Sequence, residues 1–143
     1  MTRLFFLLFV YLNIYSQELS PIQSFKMDDY NASGQNWMIS QSSDGNLFFA
    51  NNDGLLKYNG NKWSLYSSPK GTIIRCVNYI NDRVYTGENT DFGYWIKKKN
   101  GSYSYTSIPL KFNFKLIEDE EFWNILEFKN WIVFQSLNRL VFF

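Results

Sequence analysis

Residues 36–66 read NWMISQSSDGNLFFANNDGLLKYNGNKWSLY, and this stretch decides the fold. Four short apolar or alternating runs, 38–41, 47–50, 55–58 and 62–66, are separated by Asp44-Gly45, by Asn52-Asp53-Gly54 and by Asn59-Gly60. Tight hairpin turns need positive φ, which Gly adopts without a Cβ clash and which Asn and Asp tolerate. Leu, Phe, Tyr and Trp between the turns favour a pleated, half-buried surface. The pattern predicts four strands in an up-and-down antiparallel sheet.

The unit recurs downstream. Strand-like runs at 73–79, 83–87, 92–97 and 102–108 are divided by Asn81-Asp82 and Asn100-Gly101. Val84 follows Leu47 by 37 positions, whereas Gly93 follows Gly54 by 39, which predicts a loop two residues longer in the second unit. A third unit spans 122–143, with 132–135 in the second-strand register and 139–143 in the third, and no residues remain for a fourth strand. Four-stranded repeats of roughly 40 residues mark β-propellers, which close with about four to eight blades. The expected fold is all-β: an incomplete β-propeller of about two and a half four-stranded blades, preceded by a signal-peptide helix. The blades are expected at 36–68, 72–108 and 122–143, the last incomplete, so that the chain is a fragment of a longer propeller or is completed by further copies.

Residues 1–16, MTRLFFLLFVYLNIYS, place Arg3 before an apolar run and Ser16 before Gln17, the order of a secretory signal peptide. The run is about half the roughly 20 residues a spanning helix needs. Residues 17–35 are expected to be an extended leader with a turn at 28–31, the alternative being a strand lent to a neighbouring blade. Aromatic residues make up 20% of the chain and charged residues 19%, which argues for a packed core. A net charge of +1 lacks the basic face that nucleic acid requires, and the absence of His removes imidazole chemistry. Cys76, in the run Ile73-Ile74-Arg75-Cys76-Val77, is expected as a small buried hydrophobe.

The turns between second and third strands carry the best polar candidates for a ligand: Asn51, Asn52 and Asp53 in the first unit, Glu88, Asn89 and Asp91 in the second. Their amides and carboxylates can hydrogen-bond a polyol, and Glu88 and Asp91 come first because of the longer loop expected there. Simple turn chemistry explains the same residues. Trp37, Trp63, Trp95, Trp123 and Trp131 can stack on sugar rings or fill the wedge between blades, and Trp37 and Trp123 each open a first strand. Glu118-Asp119-Glu120-Glu121 reads as a solvated loop, and Lys97-Lys98-Lys99 as a hairpin tip kept soluble by charge. A glycosidase needs two carboxyl groups about 5 to 10 Å apart across a cleft. Glu88 and Asp91 share one loop, and no opposing acid can be named. No catalytic residue, metal site or cofactor is expected, and the chain does not read as an enzyme.

The segments NWMISQSSDGNLFFANNDGLLKYNG, GTIIRCV, DRVYTG, FGYW and FWNILEFKNWIVFQSLNRL resemble the N-terminal propeller of two-component-regulator propeller sensors, over residues 36–143. The resemblance implies an exported, periplasmic sensor segment that recognises an extracellular cue without covalent chemistry, a carbohydrate being one candidate. In such proteins the propeller is followed by a triple-tyrosine sandwich, an inner-membrane helix, and a histidine kinase or helix-turn-helix output. The implied partners are the ligand and the remaining blades or a further copy. Nucleic acid is not a partner of this segment, and the membrane is met only through the signal peptide. Rival expectations are a carbohydrate-active propeller enzyme, a structural or adhesive surface module, and a nonfunctional truncated remnant.

Overall fold

In the computed structural model residues 21–143 are described, so the expected signal peptide at 1–16 lies outside the described residues. Each of the four runs in residues 36–66 forms a strand: β1 (Asn36–Gln41), β2 (Leu47–Asn51), β3 (Gly54–Tyr58) and β4 (Trp63–Tyr66), antiparallel in that order. The second sheet repeats the order with β5 (Ile74–Ile80), β6 (Arg83–Glu88), β7 (Asp91–Lys97) and β8 (Tyr103–Ser107). The third contains β9 (Phe122–Phe128), β10 (Trp131–Ser136) and β11 (Leu140–Phe142) among the described residues. The protein is therefore all-β, built from three antiparallel sheets. The β5–β6 hairpin turns on Asn81 and Asp82, both at positive φ (49° and 62°), which gives a turn matched to the twist of its strands.

The sheets stack in chain order, and their first strands lie side by side, β1 against β5 and β5 against β9. Between the first two sheets, Phe48, Ala50 and Leu55 meet Ile74, Val77, Val84 and Trp95. Between the second and third, Cys76, Tyr85, Phe92 and Tyr94 meet Phe122, Ile125, Ile132, Phe134 and Val141. The Phe92 ring centroid sits 4.5 Å from that of Phe122 and 4.6 Å from that of Phe134. The second sheet is thus covered on both faces. This is why β6 and β7 read as nearly continuous buried runs and not as an alternation.

Three sequence expectations need correction. The second-to-third turns have equal length: Asn51 pairs with Gly54 and Glu88 with Asp91, each across two residues. Gly93 is a strand residue, not a turn residue. A Cβ there would lie 2.2 Å from the Thr106 carbonyl oxygen and 2.8 Å from the Tyr105 ring, so close packing of β8 selects glycine. The leader is not extended throughout, since Met27–Tyr30 form one helical turn, α1. Phe25 and Tyr30 rest on Trp63, with centroids 5.2 and 5.4 Å away, on the face of the first sheet turned from the second. The acidic run is not a uniformly solvated loop, because Glu120 is fully buried. The connection before it also carries a short helix, α2 (Ile108–Phe112), started by Ser107, whose side chain accepts from the Leu110 N–H. No helix among the described residues is long and apolar enough to cross a membrane.

Candidate functional site

Each sheet carries one β-bulge on its first strand, at the same register position. Asn36 pairs with Asn51 and Met38 with Ala50, leaving Trp37 as the extra residue. Ile74 pairs with Glu88 and Cys76 with Gly87, leaving Arg75. Phe122 pairs with Ser136 and Asn124 with Gln135, leaving Trp123. A bulge re-aims the side chain it carries. Because the first strands are neighbours, the three re-aimed side chains meet. The Arg75 guanidinium lies 4.4 Å from the Trp123 ring centroid and 5.2 Å from that of Trp37, and the two indoles meet edge to face at 6.0 Å. Cation–π attraction of this kind contributes about 0.5–2 kcal/mol per contact.

Polar groups complete the cluster. Arg75 Nε donates to Asn89 Oδ1 at 2.9 Å, and Nη2 donates to Glu121 Oε1 at 2.8 Å. Trp37 Nε1 donates to Asn52 Oδ1 at 2.7 Å. Trp37 remains 41% exposed. The guanidinium and the Glu121 carboxylate neutralise each other, so the cluster offers a partly exposed indole, two amides and a balanced ion pair. Such a surface suits a neutral, hydroxyl-rich ring better than an ion.

The sequence-chosen residues divide into two groups. Asn52 and Asn89 belong to this cluster. Asn51, Asp53, Glu88 and Asp91 instead tie down the chain that precedes each first strand. Asn51 Nδ2 donates to the Ser33 carbonyl at 2.6 Å and to Asn36 Oδ1 at 2.8 Å, and Asp53 Oδ2 accepts from the Ser33 N–H at 2.7 Å. Glu88 Oε2 accepts from Ser68 Oγ and from Thr72 Oγ1, the latter at 2.8 Å. Asp91 Oδ1 accepts from Ser107 Oγ at 2.7 Å, and Oδ2 lies 3.5 Å from Lys70 Nζ. Glu88 and Asp91 are fully buried, so they present no open rim to a polyol.

The third sheet uses the same device with different residues. Ser136, which occupies the Glu88 register, donates to Glu120 Oε1 at 2.8 Å. Arg139 donates to Glu120 through Nε at 2.9 Å and Nη2 at 2.7 Å, a two-point clamp on a buried carboxylate. Burial pushes the Glu88 carboxyl above its usual range, the Ser68 and Thr72 hydrogen bonds only partly offset this, and Asp91 adds repulsion. Burial acts on Glu120 in the same direction. There the bonds from Arg139, the Ile117 N–H and Ser136, with the Arg139 charge, outweigh it and hold the carboxyl below its usual range.

Sequence reasoning missed Arg75 and Glu121, since a bulge leaves no compositional mark and Arg does not resemble the Trp at the other two positions. The paired placement of Trp37 and Trp123 was the one available signal. Two clefts open at the opposite end of the sheets. One, about 390 Å³, is lined by Asp44, Tyr79, Asp82, Lys97 and Tyr103, and the other, about 440 Å³, by Asn81, Arg83, Glu127 and Lys129. Among the described residues no three His, Cys, Asp or Glu side chains converge to hold a metal ion. Comparison with known proteins finds no family model, no curated protein and no solved structure that matches the chain.

Proposed function

We propose that this chain is a propeller segment of an exported sensor, and that it recognises an extracellular, hydroxyl-rich ligand such as a carbohydrate through the Trp37–Arg75–Trp123 cluster. The convergence of the three bulged residues on one point carries this proposal. Two four-stranded sheets and one three-stranded sheet, stacked and aligned by their first strands, support the propeller assignment. Recognition is non-covalent: the partly exposed Trp37 indole stacks on a sugar ring, while the Asn52, Asn89 and Glu121 groups exchange hydrogen bonds with its hydroxyls. In a sensor, the bound state biases the arrangement of the sheets and so reports the ligand across the membrane.

Titration of intrinsic tryptophan emission with a panel of neutral oligosaccharides tests this. At least one member is expected to shift the emission saturably, and Trp37→Ala is expected to weaken that binding tenfold or more. A ligand that binds Trp37→Ala as well as the wild type, or one whose binding is abolished by Asp82→Asn in the opposite cleft, would move the site elsewhere.

A further inference from the structure

The cleft between the first two sheets, at the end opposite the bulges, has the size and the groups of a second ligand site. It holds about 390 Å³, within the roughly 300–1,000 Å³ of small-molecule clefts. Its two carboxylates come from neighbouring sheets, Asp44 from the β1–β2 turn and Asp82 from the β5–β6 turn. Phe48 backs both aromatic walls, its ring centroid 6.2 Å from that of Tyr79 and 5.6 Å from that of Tyr103. The Tyr79 hydroxyl donates to Asp82 Oδ1 at 2.8 Å, and this bond pushes the phenol above its usual range, so it stays a donor. Hydrogen bonds from Ser42 and then Asn46 hold the Asp44 carboxyl below its usual range, so it stays charged. Lys97 Nζ lies 3.8 Å from Asp44 Oδ2, but both side chains are about half exposed, and such a pair is weak and readily exchanged. Asp82 has no Lys or Arg nitrogen within 4.0 Å among the described residues. The rings here already attract one ammonium group, since Lys57 Nζ lies 5.5 Å from the Tyr103 centroid.

We propose that this cleft binds a small organic cation, an alkyl chain that ends in a primary ammonium group. The ammonium donates to Asp82, whose charge no side chain of the protein balances at close range, and the chain lies along Tyr79, Tyr103 and the half-open Ile96. Asp44 adds attraction from the opposite wall, and Lys97 competes with the ligand for it. A hard metal ion needs six or more converging oxygens, whereas no three acidic side chains converge among the described residues. A primary ammonium needs only one or two carboxylate oxygens and gains from the rings as well. This site is separate from the Trp37–Arg75–Trp123 cluster and does not rest on the carbohydrate reading.

The test is calorimetric titration of the full chain with butylammonium chloride at neutral pH and low salt, beside 1-butanol as the uncharged probe. Saturable binding of butylammonium is expected, with none of 1-butanol. Asp82→Asn is expected to weaken it at least tenfold, and it keeps the turn, because Asn tolerates the positive φ of 62° found there. Lys97→Gln is expected to strengthen binding about threefold by removing the competing ammonium, a gain that damage to the fold cannot produce. Trp37→Ala, at the other end of the sheets, is expected to leave it unchanged. The proposal is overturned if butylammonium shows no saturable heat, or if 1-butanol binds as tightly. Binding that Asp82→Asn leaves unchanged, that Lys97→Gln fails to strengthen or that Trp37→Ala abolishes overturns it too. None of these results bears on whether an oligosaccharide binds at Trp37, so the two readings fail separately.

Discussion

The second and third sheets share a register, strand for strand, but differ in what covers them. Phe92 and Leu140 occupy one position, as do Tyr94 and Phe142, yet the second sheet buries its pair and the third exposes its own. The two sheets also tether their preceding loops with buried carboxylates of opposite character. Glu88 is hydrogen-bonded by two hydroxyls, with Lys70 paired to Asp91 and acting on Glu88 only through space, whereas Glu120 is clamped by Arg139. Register therefore fixes where a side chain points, and neighbours decide what that position is worth.

The largest effect should come from truncating the equivalent pair. Phe92→Ala removes a ring packed on Phe122 and Phe134 and leaves a cavity, so it should cost about 4 kcal/mol in chemical denaturation. Leu140→Ala, at the same register on an open face, should change monomer stability by less than about 0.5 kcal/mol. Equal costs would mean that the third sheet's outer face is already covered.

The carboxylate pair gives a smaller and sign-dependent effect. Arg139→Ala leaves Glu120 buried and unpaired and should cost about 3 kcal/mol near neutral pH. The folded-state pKa of Glu120 is depressed, so its contribution is full above the unfolded carboxyl value and lost as pH falls through the lower folded value. The folded-state pKa of Glu88 is raised, so its contribution is full below the unfolded value and lost as pH rises through the folded one. Glu88→Gln should therefore leave stability at pH 7 unchanged or slightly higher and remove this decline, while Glu120→Gln should lower it. Unfolding midpoints of both variants across pH 3 to 8 read the two signs, and matching slopes would remove the contrast.

The strands and most turns were legible because local chemistry sets them. Asp44-Gly45, Asn59-Gly60 and Asn81-Asp82 each close a hairpin, and the offset from Leu47 to Val84 holds through the pairing. The alignment of Gly54 with Gly93 misled: the fourth strand crowds both, at the Tyr66 and Thr106 carbonyls, but only Gly54 also takes positive φ, +139°, as its strand leaves the turn. From sequence alone the two needs look the same. Glu88 and Asp91 looked like rim ligands because burial depends on Ser68, Thr72, Lys70 and Ser107, which come from segments outside their turn. Arg75 was hidden for a related reason, as its importance arises only when Trp37 and Trp123 are brought in from the other two sheets.

Thiol labelling at the three equivalent positions tests the stacked repeat most directly. Leu55→Cys, Phe92→Cys and Leu140→Cys are read against a silent background, because burial pushes the Cys76 thiol up to about 12. In dilute protein, Cys at 140 should react within the time of mixing, while Cys at 55 and 92 should react only through unfolding, orders of magnitude more slowly. A single common rate at all three positions would contradict the stack of register-matched sheets.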